Sequence, residues 1–170
     1  MVTIRRYRRE DREIVKDITA ASFSGRSIDE NIEKRFGRVA GKDWRWRKKK
    51  YVDVDLALNP EGAFVAELDG AVVGYITTEI DKDASIGRIL NFAVLSTCQK
   101  QGIGRRLMEA ALAYFRETGM EYAKIETLVQ NEIGAHFYPK VGFEEIARQI
   151  HYVMPMSKWQ PQSEGDGGSE

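Results

Sequence analysis

Residues 86–105, IGRILNFAVLSTCQKQGIGR, decide how this chain is read. The run from Ile86 to Leu95 is apolar and ends abruptly, as a buried strand does. Seven residues later Gly102 opens a helical pattern through Gly119, whose core face is Ile103, Leu107, Ala110, Ala111 and Tyr114 at offsets of three and four. A strand that runs into a glycine-bearing helix start makes an anion cradle. The helix N-terminus offers unpaired N–H groups and partial positive charge, and glycine lets a phosphate approach the backbone without a Cβ in the way. Gln99, Lys100, Gln101 and Arg105 supply further donors around Gly102, Ile103 and Gly104. The same glycines also suit a helix start that needs only close packing, so the heptapeptide 99–105 leaves both readings open. Other phosphate signatures fail: the dinucleotide fingerprint wants a third glycine where Leu107 stands, and Gly37–Asp43 lacks P-loop spacing.

Downstream, EYAKIETLV at 121–129 reads as a second strand, so 86–129 is expected to form a right-handed parallel β-α-β unit. A short helix from Asn131 to Lys140, a restart at Gly142-Phe143 and a closing hairpin through 155 follow. Upstream, AFVAEL and AVVGYITTEI flank Asp69-Gly70, which predicts a tight hairpin. Residues 2–7 read as a strand, and Asp11 begins a helix with Ile14, Val15, Ile18 and Ala21 on its apolar stripe. Ser27 and Glu30 read as a capping box for a helix that stops at Gly37, and 38–60 reads as a helix that stops before Pro60. This order predicts an α/β protein: a mixed sheet with helices on its faces, in one domain over 1–157, with 158–170 expected as a disordered tail.

Composition narrows the function classes. The 26 basic and 26 acidic residues balance, which points away from nucleic acid as a partner. The Lys42–Lys50 run with Trp44 and Trp46 reads as the solvated face of a helix with buried tryptophans, and a nucleic-acid or acidic-partner patch is the competing reading. A single cysteine, Cys98, excludes an internal disulfide and a thiolate zinc site and suits a cytoplasmic protein. No apolar run approaches the ~20 residues of a membrane helix, and the start has no signal-peptide pattern, so no membrane partner is expected. His136 and His151 lack a ligand pattern, so no metal is expected.

Gln99-x-x-Gly102-x-Gly104 after the strand, followed by Asn131-x-x-Gly134-Ala135-x-Phe137-Tyr138-x-Lys140-x-Gly142-Phe143, resembles the two motifs of the GCN5-related N-acetyltransferases, the GNAT family. The likeness covers about 62–157; Gly134 replaces a frequent alanine, and Cys98 an aromatic residue. The resemblance implies a mostly antiparallel sheet with a central, splayed parallel strand pair and helices on both faces. It implies acetyl-CoA as cosubstrate, with pantetheine along Phe92, Ala93 and Val94, pyrophosphate on the N–H groups of Gln101 to Arg105, and Asn131 beside the pantetheine arm. The acceptor amine must lose a proton and the departing thiolate must gain one. Tyr138 matches the family acid. Glu126 matches a base used in the ribosomal-protein N-terminal acetyltransferase branch, and Glu79, Asp81 and Asp83 are the alternative bases. The expected function is acetyl transfer by direct attack to a primary amine, in a small molecule or at a peptide N-terminus; the competing expectation is a non-catalytic acyl-CoA sensor. Phe23, Arg26 and the 42–50 segment are expected to shape the acceptor pocket. Family members often pair through their C-terminal strands, which makes His151–Met156 a candidate homodimer interface.

Overall fold

The computed structural model describes residues 1–161. Strand β1 (Val2–Arg6) leads into three helices, α1 (Arg12–Ser22), α2 (Ile28–Phe36) and α3 (Trp44–Leu58). Strands β2 (Phe64–Leu68), β3 (Ala71–Asp81) and β4 (Ile86–Val94) follow, then helix α4 (Ile103–Glu117), strand β5 (Tyr122–Ile125) and helix α5 (Glu132–Val141). The five strands lie in sequence order in one sheet, antiparallel except for the parallel β4–β5 pair at its end. Asp69 and Gly70 both have positive φ, the geometry a two-residue turn demands, so the β2–β3 hairpin stands where its residues placed it.

Alternation along the strands sends apolar side chains to both faces, and each face has its own core. On one side, Leu107, Met108, Ala111, Tyr114 and Phe115 of α4 pack on Phe64, Ala66, Ile76 and Ile89. On the other, Val15 and Ile18 of α1 and Val52 and Leu56 of α3 pack on Val65, Tyr75 and Ala93. At the N-terminal end Arg5 grips the buried Asp11 with two hydrogen bonds, of 2.7 and 2.9 Å, and reaches Glu67 at 2.9 Å.

Four expectations are corrected. The strand read over 121–129 ends at Ile125, because β4 pairs with β5 only from Ile86 to Ile89 and then turns away, leaving later residues no ladder. The closing hairpin does not form: residues 143–155 carry no strand, and Ile146, Ile150 and Tyr152 alternate without a partner and stay exposed. The capping box is absent. Ser27 sits at the N-cap of α2 with its hydroxyl buried and unpartnered, while the Glu30 carboxylate turns back to accept from the Gly25 N–H and, at 3.3 Å, the Ser24 hydroxyl. Of the two tryptophans in α3, Trp44 is buried but Trp46 is half exposed between Lys42 and Lys50. The expected tail lies mostly outside the described residues, and Lys158 closes a short 3₁₀ turn, Met156–Lys158.

Candidate active site

A bulge in β4 sets the site. The β3–β4 register runs Thr77↔Asn91 and then Thr78↔Ile89, so Leu90 is an extra residue. Bulges bend a strand and increase its twist. Parallel pairing with β5 ends at Ile89↔Ile125, just before this point, and Asn91–Val94 continue paired only to β3. The Leu95 N–H donates to the Val73 carbonyl, so by antiparallel alternation Ala93 turns its backbone groups to β3 while Phe92 and Val94 turn theirs to the open side. A gap therefore opens beside β4, faced by the backbone N–H and carbonyl of Phe92 and by the Val94 N–H. The Val94 carbonyl already accepts from Gln99 Nε2 at 3.0 Å.

The gap leads to the glycine turn. After a 3₁₀ turn at Ser96–Cys98, Lys100 and Gly102 both take positive φ, and Gly102 is the N-cap residue of α4 with no side-chain cap. The first N–H groups of a 15-residue helix are thus left without a side-chain cap. Gly104 fits closely: a Cβ there would meet the Phe92 ring at 3.2 Å. Gln99, Lys100, Gln101, Gly102, Ile103, Gly104 and Arg105 are brought together as one turn. The Arg105 guanidinium donates to the Lys140 carbonyl at 3.3 Å and so ties this turn to α5.

Helix α5 lines the other side. Asn131 caps it, accepting from the Gly134 N–H at 3.2 Å and donating to Thr127 Oγ1 at 2.8 Å. A chain of aromatic edges joins it to the sheet: Phe92 to Phe137 at 5.5 Å, Phe137 to Tyr138 at 5.7 Å and Tyr138 to Phe143 at 6.2 Å. Among these rings, burial pushes the Tyr138 phenol up to about 12, so it is a neutral proton donor throughout the neutral range. Gly134 makes room for it, because a Cβ there would sit 2.7 Å from both Tyr138 and the Asn131 amide.

Glu126 lies one residue beyond β5 and faces solvent. Lys124 Nζ stands 2.8 Å from its carboxylate and holds it below the usual carboxylate range. The alternative carboxylates are occupied or remote: Glu79 pairs with Arg88, Asp81 accepts from the Ala84 N–H at 3.0 Å, and Asp83 is exposed in the same turn. Across the end of β4, a cavity of about 160 Å³ lies between the α1–α2 turn (Ser22, Ser24, Arg26) and Leu95, Ser96 and Gln99. Arg26 thus reaches the rim of the glycine turn, and Phe23 lies under Lys48. Among the described residues no group of three His, Cys, Asp or Glu side chains gathers to hold a metal, and no helix is long and apolar enough to cross a membrane.

The sequence reading overlooked Asp55 and Thr77 and took Lys48 only as part of the basic 42–50 segment. All three meet around Asn91 at the bulge, and no local pattern joins positions so far apart along the chain.

With this geometry in view, comparison with known proteins gives one answer. The sequence profile described as the acetyltransferase (GNAT) family matches residues 26–143, more than half the chain. An N-alpha-acetyltransferase of Sulfurisphaera tokodaii is 32% identical over 146 residues, covering 66% of this chain and 87% of that protein. A structure of PH1933 from Pyrococcus horikoshii superposes with a TM-score of 0.71 at 20% identity, covering 88% of this chain and 92% of the other. That of the PaiA N-acetyltransferase from Thermoplasma acidophilum, in complex with coenzyme A, does so with a TM-score of 0.68 at 21% identity, covering 85% and 90%. The chain spans 56% and 63% of two further curated relatives it matches. The chain belongs to the GNAT family and is an acetyl-CoA-dependent N-acetyltransferase of that class.

Proposed function

We propose that this enzyme acetylates the α-amine of a peptide or protein N-terminus by direct attack on acetyl-CoA. The observation that carries the reading is the gap beside β4, open from the unpaired backbone of Phe92 and the Val94 N–H to the free N–H groups of α4. A pantetheine amide has the donor and acceptor that such a strand edge lacks. A pyrophosphate has the charge that a helix N-terminus stabilises. The glycine turn suits the phosphate end: Gly102 has open space where a Cβ would stand, and Gln99, Lys100, Gln101 and Arg105 add donors around it; Asn131, at the N-cap of α5, is assigned to the pantetheine arm.

In this reading the Val94 N–H stabilises the developing oxyanion, Tyr138 protonates the departing CoA sulfur, and Glu126 takes the amine proton directly or through a water. The electrostatics favour an α-amine. Such a group titrates near ~8 and is already partly neutral at pH 7, whereas a lysine amine near ~10.4 demands a stronger base than an exposed, ion-paired carboxylate. The Sulfurisphaera tokodaii relative, itself named an N-alpha-acetyltransferase, supports the same acceptor class.

The test is a panel assayed with acetyl-CoA: peptides with free N-termini, the same peptides blocked at the N-terminus but carrying lysine, and small polyamines or aminoglycosides. Turnover confined to free N-termini is expected. Turnover of blocked peptides or small amines alone would overturn the acceptor assignment, and binding of acetyl-CoA without any turnover would favour the sensor.

A further inference from the structure

A buried polar network clamps the bulge of β4 from behind. Asn91, only 7% exposed, is its hub. Its Oδ1 accepts from Lys48 Nζ at 2.6 Å, its Nδ2 donates to Asp55 Oδ2, and its backbone N–H donates to Thr77 Oγ1 at 3.0 Å. The Thr77 hydroxyl in turn donates to Asp55 Oδ2 at 3.2 Å. Lys48 and Asp55 are two helical turns apart on one face of α3, and Thr77 lies opposite Asn91 in β3. The Lys48 ammonium also rests 4.2 Å from the centre of the Phe23 ring. Two ionisable groups are thus carried into the protein, Lys48 held by the Asn91 amide over the Phe23 ring and Asp55 by Asn91 and Thr77, an arrangement whose desolvation is costly unless every partner is present.

The position of the hub gives this cost a purpose. Asn91 follows the extra residue Leu90 and precedes Phe92, the first residue whose backbone faces the gap. Successive strand side chains alternate, so the network grips β4 on the α1–α3 face while Phe92 packs on the α4–α5 face. We propose that Lys48, Asp55 and Thr77 are positioning residues that act through Asn91 to lock the bulged stretch of β4, so that the backbone groups of Phe92 stay aimed at the pantetheine arm and the Val94 N–H at the thioester. The inference rests on the assignment of that arm to β4 made above.

The test uses the full chain with Thr77→Val, which keeps the side-chain shape and removes the hydroxyl, and Lys48→Met, with Thr77→Ser as the conservative rescue. For each, the Kd for CoA is measured by calorimetry, the KM for acetyl-CoA and kcat by steady-state assay, and the amide chemical shifts of Phe92–Val94 by NMR. Thr77→Val and Lys48→Met are expected to raise Kd and KM about tenfold, the worth of one displaced hydrogen bond. They should move the Phe92–Val94 amides, leave kcat within about twofold, and Thr77→Ser should restore binding. Unchanged CoA affinity with only a lower melting temperature would reduce the network to a structural plug and overturn the proposal. A fall in kcat at unchanged CoA affinity would assign these residues to the acceptor or the proton and overturn it too. Wild-type protein that bound no CoA would overturn the pantetheine assignment itself, and the inference with it.

Discussion

Tyr138 and Glu126 face opposite electrostatic circumstances. Burial pushes the Tyr138 phenol up to about 12, so the folded chain keeps a proton that the unfolded chain loses near pH ~10. The folded state then binds more protons than the unfolded one across that window, and stability falls as pH rises from about 10 to about 12, by roughly 3 kcal/mol in the limit. Below pH ~10 the group contributes no slope. Tyr138→Phe removes this component, so unfolding curves of wild type and variant should diverge through that window; parallel curves would contradict the burial of the phenol. The same variant should lower kcat by tens-fold or more with the Kd for acetyl-CoA nearly unchanged, and an unchanged kcat would remove Tyr138 from the acid role. Glu126, exposed and held ionised by Lys124, is a weaker base, so Glu126→Gln is expected to lower kcat about tenfold at saturating acetyl-CoA. Full activity in that variant would return the base role to Glu79 or to solvent. The place of Tyr138 on α5 was legible because its motif is contiguous. The Lys124–Glu126 pair was not, because a strand reading of 121–129 gives no sign of where the ladder stops.

At the scale of elements, the glycine turn and the bulge divide the work. Gly102 holds positive φ with no atom within reach of a Cβ, so Gly102→Ala should cost only backbone strain, about 1 kcal/mol, read as a modest drop in melting temperature. Gly104 is limited instead by space. A larger side chain there presses on the Phe92 and Phe137 rings, so Gly104→Leu is expected to lower both the melting temperature and the affinity for CoA, and a variant unchanged in both would contradict that close packing. The helices α4 and α5 and the β2–β3 hairpin were readable because their signals are local: periodicity, an asparagine cap, an Asp-Gly turn. The splay of β4 from β5 was legible only through family likeness, and the clamp of Lys48, Asp55, Thr77 and Asn91 not at all. Each of its residues alone reads as an ordinary surface or strand residue, and only the tertiary fold brings them together.

For the whole molecule, the unclosed end of the sheet is the informative feature. Strand β5 is an edge of the sheet, and among the described residues after Phe143, Ile146, Ile150, Tyr152 and Met156 are exposed. An alternating apolar stretch beside a free edge is a docking element in search of a partner strand. This keeps His151–Met156 as the candidate homodimer interface: light scattering at micromolar concentration should give twice the 19.4 kDa chain mass, and Tyr152→Glu should return it to the monomer. A wild-type monomer at that concentration would remove the interface. The balance of 26 basic and 26 acidic side chains fits a chain whose ligand charge is met locally, at the α4 N-terminus, rather than by a global field. The central claim is that this local site holds coenzyme A. It is tested most directly by calorimetric titration of the purified protein with acetyl-CoA and free CoA against a nicotinamide dinucleotide: micromolar binding of the CoA pair alone is expected, and no binding of either would contradict it.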